Sequence, residues 1–455
     1  MRETADGNGE TRCRFGGDIL LRPRWRRFVF YGFIMIMAGV TSWRVVTSFL
    51  NNPQIDFRCF VDCAQVTFRG LDYQDLSTLT LYPWDTPQIV FPGMMPFYLP
   101  FSWLPISVSQ SIYYVLQVLG LIGAYWYFMR VLCPERRVDW RCPDAYAWIY
   151  WGGLLVLLNS SPVLTCLRHG QSAVWCMWGV LLVLFQPTRL RPLLFGLTAL
   201  LKYSMVPVLA LLLWVNRYSV LCLLGFLVFV LISLYPAVLG FDLVDFYRHY
   251  LDMLTSEVVR GGGNSFLASG YHMLQLEFFR WNVLNMIGKA ACGVVLLALL
   301  VREHRRRGFG LYLLLLAFCL TMEISYHRIY DMVIVILLLE GCMVVFLRQR
   351  QWYRLAVGTC FLGFFLVPFT LILWVGDFLG HRLPLDRVFI MCRFMGDATE
   401  MVPLPAMMML ALTIFAGYCY WRPGAGEPVF TLTDERKDRG EVRITAGERE
   451  HDGTE

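Results

Sequence analysis

The chain has 455 residues, of which 57% are hydrophobic and only 16% charged, and its mean hydropathy is +0.52. Soluble domains carry about 25% charged residues, so the composition excludes a water-soluble enzyme with a polar shell and points to a chain dissolved in lipid. The net charge of +6 comes with arginines gathered in short loops rather than in one stripe, which argues against a nucleic-acid-binding protein.

Residues 1–20 are polar and Gly-containing, and Arg22, Arg24, Arg26 and Arg27 directly precede the first apolar run, 28–49. That run lies late in the chain and lacks a small-residue cleavage site, so it reads as an uncleaved first span rather than a secretory leader. Long apolar runs follow at 108–131, 218–240, 284–301, 327–347, 354–376 and 402–421, with shorter ones at 145–160, 171–186, 191–201, 203–215 and 308–322. Several of the shorter runs fall below the roughly 20 residues that an upright helix needs to cross the hydrocarbon, which predicts broken or half-depth helices. Lys202 stands between two of them. Non-helical backbone at that depth is tolerated only where protein buries it or where it lines a cavity. From Arg422 onward the tail is rich in charge and Gly and reads as disordered.

Basic loops mark the cytoplasmic side. They are 22–27, 132–144, 187–191, 216–218, 302–307 and 348–354, and all can lie inside only if 88–104 does not cross. Pro92, Pro96 and Pro100 make that stretch a poor spanning helix, so it reads as re-entrant or interfacial. The domain organisation expected is a cytoplasmic segment 1–27, one transmembrane catalytic domain 28–421 with outer loops 51–107, 241–283 and 377–401, and a disordered cytoplasmic tail 422–455. Twelve crossings with both termini inside follow. The outer face then collects 51–87, the His169-Gly170-Gln171 turn, Lys202, 241–283, 323–328 and 377–401. Six polar elements converging on one face read as a site, because ionisable groups near hydrocarbon are costly and usually line a cavity.

Most of the 14 Cys fall inside apolar runs, where Cys behaves as a small hydrophobe, and no disulfide is expected. Cys59 and Cys63 lie one helical turn apart in the first outer loop, where a bridge or metal pair is conceivable, but no CxxC or Cys/His ligand set accompanies them.

The residues able to carry chemistry fall in four places. Asp56 stands just after the first span, followed at helical spacing by Phe57, Phe60, Val61 and Ala64, so an interfacial helix begins near it. An acid there is either a helix cap or a base that takes a proton from an acceptor hydroxyl, a role worth about 10²–10⁴ in rate. SYHRIYD places Ser325, Tyr326, His327, Arg328 and Asp331 at the mouth of a span. Arg328 offers a planar fork suited to phosphate and His327 a proton or hydrogen bond near neutral pH, while a local Arg328–Asp331 pair that merely anchors the span is the plainer alternative. RHGQS (Arg168, His169, Gly170, Gln171, Ser172) and Lys202 are either snorkelling anchors or a cationic pocket for a lipid phosphate. GGGNSF, with Asn264, lies in a loop that could close over substrate; without a phosphate-loop lysine it is no nucleotide cradle.

In order and spacing, DFRCF, FPGMMPFYLPFSWLP, HGQSAVW, LLKYSMVP, GGGNSF and SYHRIYD resemble glycosyltransferase family 87, the polyprenol-phosphate-mannose-dependent α-mannosyltransferases. The similarity runs from about Asp56 to about Leu339. It implies an all-α polytopic membrane protein with the C-type glycosyltransferase helix bundle, and inverting transfer of a hexose from a polyprenyl-phosphate donor to a lipid or glycan acceptor. On the resemblance, Asp56 is the catalytic base, and Lys202, His327, Arg328, Gln171, His169 and Arg168 lie near donor phosphate or sugar, supported by Tyr326, Asp331 and Asn264. No cofactor is implied and no metal ligands are assigned, although some C-type relatives use a divalent ion and Asp56, Asp62, Asp72, Asp75 and Asp85 offer carboxylates. The implied location is a bacterial plasma membrane with the site on the periplasmic or extracellular side. The family's Tyr-Pro-Pro is here Phe91-Pro92-Gly93, preceded by TLYPWDTP. Two other readings compete: a secondary transporter, which predicts internal repeats that the sequence lacks, and a non-catalytic lipid-binding subunit.

Overall fold

In hydrocarbon every backbone N–H and C=O must find its partner within the protein, so a chain of apolar runs folds into helices. The computed structural model describes residues 23–51, 54–73, 78–80, 90–134, 145–186, 189–215, 219–255, 282–304, 309–324, 329–366, 404–422, 428–430 and 444–446. Its helices follow the apolar runs. In chain order they are α1 (Pro23–Asn51), α2 (Ile55–Phe68), α3 (Met95–Tyr98), α4 (Ile106–Leu132), α5 (Ala145–Asn159), α6 (Ser161–His169), α7 (Ala173–Phe185), α8 (Arg191–Leu201) and α9 (Val206–Val215). There follow α10 (Ser219–Ser233), α11 (Tyr235–Val238), α12 (Leu243–Thr255), α13 (Asn282–His304), α14 (Leu311–Ile324), α15 (Val333–Arg348), α16 (Trp352–Leu366) and α17 (Leu404–Trp421).

The protein is an integral membrane protein built from helices, but the expected twelve crossings are not reached among the described residues. Three helices are long and apolar enough to span: Arg27–Leu50, Ile106–Leu132 and Val220–Val238. The pair α5 and α6, bent by 50° at residue 160, makes a fourth if the two helices count as one broken span. Ala173–Phe185, Arg191–Leu201, Leu311–Ile324, Trp352–Leu366 and Met408–Trp421 are apolar but shorter. At about 1.5 Å rise per residue a 13-residue helix such as α7 reaches only about two thirds of the way across hydrocarbon roughly 30 Å thick. Among the described residues, these shorter helices do not reach the length of an upright crossing on their own.

α14 and α15 form the centre. Both are apolar on all sides and buried almost throughout, the pattern of a helix enclosed by protein. Their side chains join one core with α4 to α7, α13 and α17, and a second, smaller core gathers around α2. The stretch 90–105 contains no helix longer than five residues, only 3-10 turns at Pro92–Met94 and Leu99–Trp103 flanking α3. Its prolines remove the donors a longer helix would need. One departure from an all-helical chain is a small antiparallel sheet in the order β1 (Phe309–Gly310), β2 (Pro428–Phe430) and β3 (Ile444–Ala446). It draws two short pieces of the C-terminal tail against the start of α14, with Phe309 opposite Phe430 and Val429 opposite Thr445.

Lipid tails are as apolar as leucine, so close packing has to hold membrane helices together, and small residues permit it. Gly196 and Gly225 bring α8 and α10 into that contact. A Cβ on Gly196 would lie 2.5 Å from Val228 Cγ1 and 3.0 Å from the Gly225 carbonyl, and one on Gly225 would run into the Phe195 ring. Gly225→Val is expected to lower stability by about 1–3 kcal/mol, read as a lower melting temperature of the purified protein in detergent, whereas the same change at Gly293, where a Cβ meets nothing, leaves it nearly unchanged.

Candidate active site

α2 begins one residue before Asp56. Gln54 occupies the N-cap with a left-handed backbone (φ 45°), so Asp56 sits inside the first turn and does not cap the helix. A non-glycine residue with positive φ is uncommon and is held only where its surroundings over-determine it. Here the Gln54 amide donates to the Leu167 carbonyl at 3.2 Å and to Gln117 Oε1 at 3.5 Å. α2 is enclosed by protein on most sides rather than lying half-exposed at an interface: Asp56, Phe57, Cys59, Phe60, Val61, Asp62, Cys63 and Ala64 are all buried. Phe57 stacks on Tyr113 with ring centroids 4.3 Å apart, and Arg58 donates to Gln110 at 3.2 Å. Cys59 and Cys63 are free thiols with sulfurs 3.7 Å apart. Burial, and then the neighbouring Cys63, pushes the Cys59 thiol well above its ordinary value.

The second element is the turn after α6. Ser160 caps that helix, its hydroxyl accepting from the Val163 amide, and Pro162 follows inside the first turn where its missing N–H costs nothing. α6 ends in a left-handed Gly170 (φ 69°), with Gln171 N–H bonded to the Cys166 carbonyl and Gly170 N–H to that of Leu167, the Schellman closure. This closure turns residues 169–171 back onto α2. Gln171 Nε2 donates to Asp56 Oδ2, and His169 Nδ1 lies 3.3 Å from the same oxygen. The Gln171 carbonyl in turn accepts from Gln117 Nε2 at 2.6 Å and from the Tyr113 hydroxyl at 3.4 Å, and Tyr113 meets Tyr98 at 3.1 Å.

Two breaks in helices would leave carbonyls unsatisfied in hydrocarbon, and side chains take them up. At the α5–α6 break, Arg44 of α1 donates to the Asn159 carbonyl at 2.9 Å. At the α8–α9 break, the Ser172 hydroxyl donates to the Leu201 carbonyl at 3.1 Å. Ser172 belongs to the turn that holds Asp56, so the turn and the Lys202 break are neighbours. Lys202 Nζ reaches Asp331 Oδ1 at 2.6 Å, and residues 329–332 pack on α6. Asp331, expected to pair with Arg328 if that pair merely anchored the span, gives an oxygen to Lys202.

Sequence reasoning therefore finds Asp56, His169, Gln171, Lys202 and Asp331, and the fold brings them together as one acidic and one ion-paired group joined through Ser172. Gln171, expected beside the donor, contacts Asp56, because the Schellman turn aims its amide at α2. Arg168 is exposed in the last turn of α6. Ser325, Tyr326, His327, Arg328 and Asn264 lie outside the described residues. Sequence reasoning misses Gln54, Gln117, Tyr113 and Arg44. Three of them carry a legible signal: Arg44 as a lone arginine in the first apolar run, and Tyr113 and Gln117 as members of the set Gln110, Tyr113, Tyr114 and Gln117 on one face of α4. Among the described residues no three His, Cys, Asp or Glu side chains are grouped so as to hold a metal ion.

Two substitutions test this geometry. A Cβ on Gly170 would lie 2.6 Å from Phe57 Cβ in a backbone conformation costing roughly 1–2 kcal/mol for an L-residue, so Gly170→Ala is expected to lower both melting temperature and activity. Gln171→Leu removes a donor to a charged oxygen, about 1.5–3 kcal/mol, and is expected to slow turnover about ten- to hundredfold in an assay of labelled sugar transfer.

The model of glycosyltransferase family 87 matches residues 92–323, just over half of the chain. The matched stretch contains the 169–171 turn and Lys202; Asp56 and Asp331 flank it. No curated protein and no solved structure matches the chain. With apolar helices, a broken span and a buried acid held by the matched turn, the chain belongs to glycosyltransferase family 87.

Proposed function

We propose that this membrane glycosyltransferase moves a hexose, mannose on the family resemblance, from a polyprenyl-phosphate donor to a hydroxyl of a lipid or glycan acceptor. Transfer takes place on the extracytoplasmic face of a bacterial plasma membrane, both termini being cytoplasmic, and inverts the anomeric carbon. The observation that carries this reading is the buried Asp56 carboxylate, with His169 and Gln171 both directed at its Oδ2 beside the Lys202–Asp331 pair. Family membership removes the transporter and the non-catalytic subunit as leading alternatives.

In the proposed step Asp56 accepts the proton of the acceptor hydroxyl as that oxygen attacks the anomeric carbon. The bond from this carbon to the phosphate oxygen breaks on the opposite side, and the electron pair leaves with the polyprenyl phosphate. Its negative charge is stabilised by cationic side chains, Lys202 among the described residues and Arg328 and His327 outside them. Gln171, donating to Oδ2, and the His169 ring beside the same oxygen fix the carboxylate's orientation, which is the requirement for a base that must meet one hydroxyl at hydrogen-bond distance. No step is assigned to a metal.

Purified protein given a labelled polyprenyl-phosphate hexose and a membrane extract as acceptor is expected to transfer sugar. Asp56→Asn keeps shape and donor binding but removes the base, so turnover is expected to fall at least about a hundredfold; equal transfer by this variant removes Asp56 from the mechanism. Lys202→Met removes the ammonium that Asp331 meets at 2.6 Å, a change expected to cost about 3–5 kcal/mol for a buried pair. Adding Asp331→Asn is expected to recover much of the melting temperature while donor affinity stays low. Recovery of donor affinity with stability would assign Lys202 a structural role alone.

A further inference from the structure

The opposite end of the bundle carries a second lipid-facing feature that the proposed reaction does not use. α13 presents Val294, Leu297, Ala298, Val301 and Arg302 along one side, and they line a groove of about 520 Å³. The spacing i, i+3, i+4, i+7, i+8 makes this a single helical face. Val294, Leu297 and Val301 are 67%, 52% and 45% exposed, so protein does not cover it among the described residues. The groove ends at a cation. The Arg302 guanidinium lies 4.7 Å from the centre of the Trp421 ring and 5.8 Å from that of Tyr420, both at the end of α17. The neighbouring Glu303 is bound by the Tyr420 hydroxyl at 2.5 Å, and no carboxylate among the described residues pairs with Arg302.

Chain direction puts this site away from Asp56. β1 follows α13 and β2 follows α17, and the two strands pair at the start of α14. α14 then runs its length, about 21 Å at the usual rise, before the chain reaches Asp331 and its Lys202 partner. Arg302 and the acid-bearing site therefore lie toward opposite ends of the bundle.

We propose that this groove binds one anionic phospholipid of the membrane leaflet opposite the active site, an acyl chain lying along Val294, Leu297, Ala298 and Val301 and its phosphate meeting Arg302. Three features select that occupant. The apolar stripe fits a hydrocarbon chain and no polar headgroup. The guanidinium is a planar donor fork matched to phosphate oxygens, pre-oriented by two aromatic faces. Trp and Tyr at the end of α17 stand at the level where headgroups meet water. An arginine that merely snorkels toward water has no need of such a fixed orientation, and would accept zwitterionic and anionic lipids alike.

The test uses the full chain in nanodiscs and native mass spectrometry, with phosphatidylglycerol and phosphatidylcholine as probes. Wild type is expected to retain one phosphatidylglycerol per chain after delipidation and to prefer it at least about tenfold over phosphatidylcholine, a difference of roughly 1.4 kcal/mol. Arg302→Gln is expected to abolish the preference, and Leu297→Trp to expel the lipid by filling the groove without altering charge. Sugar transfer by both variants in phosphatidylcholine discs is expected to match wild type. Equal retention of the two lipids by wild type, undiminished phosphatidylglycerol retention in both variants, or preferential retention of polyprenyl phosphate would each overturn the proposal. Should Arg302→Gln not fold, Leu297→Trp alone decides it.

Discussion

A helix that breaks inside hydrocarbon leaves carbonyls that neither water nor lipid can satisfy, and this chain breaks its helices at two places that matter. Each break is sustained by a side chain from elsewhere in the sequence: Arg44 for the carbonyl of Asn159 and Ser172 for that of Leu201. Gln54 adds a second donor to the Leu167 carbonyl at the end of α6, which also accepts from the Gly170 N–H. The site is built from the breaks themselves. The turn after α6 supplies His169 and Gln171, and the gap between α8 and α9 exposes Lys202. Irregular backbone and polar chemistry coincide because membrane-depth irregularity survives only where protein surrounds it.

The same constraint gives Asp56 its setting. A carboxylate on an exposed interfacial helix would be surrounded by water and free to rotate. α2 is instead buried on an aromatic bed of Phe57, Tyr98, Phe101 and Tyr113, and its acid faces the turn from which His169 and Gln171 reach it. Gly170 makes the approach possible, since any Cβ there would enter the space of Phe57. Behind the turn, the Gln171 carbonyl accepts from Gln117 and Tyr113, so orientation at Asp56 is transmitted from α4 through a fixed backbone rather than through one flexible side chain.

Lys202 and Asp331 are separated by 129 positions yet form the one close lysine–aspartate pair among the described residues. A buried pair of this kind is weak support for stability, because desolvation offsets much of the attraction. On the function proposed above, the pair has a second use: a lysine already held in place would meet an arriving phosphate with little loss of side-chain freedom.

The sequence by itself determined the solvent, the helical class, the family and the polar residues that stand out against the apolar runs. Composition and apolar run lengths decide these locally, and polar groups in hydrocarbon are conspicuous because they are costly. It also located the gap at Lys202 and the non-helical character of the proline-rich stretch, since both follow from neighbouring residues. Only the tertiary structure decided that α6 exists as a separate bent helix, that several described helices are shorter than an upright crossing, and that Gln171 serves Asp56. Asp56 meets positions 169 and 171, Asp331 meets 202, and the carbonyls at the helix breaks and at the end of α6 meet 44, 172 and 54. Hydrogen-bond partners distant in sequence leave no periodicity in it, so residue order specifies the groups and only packing specifies the pairs.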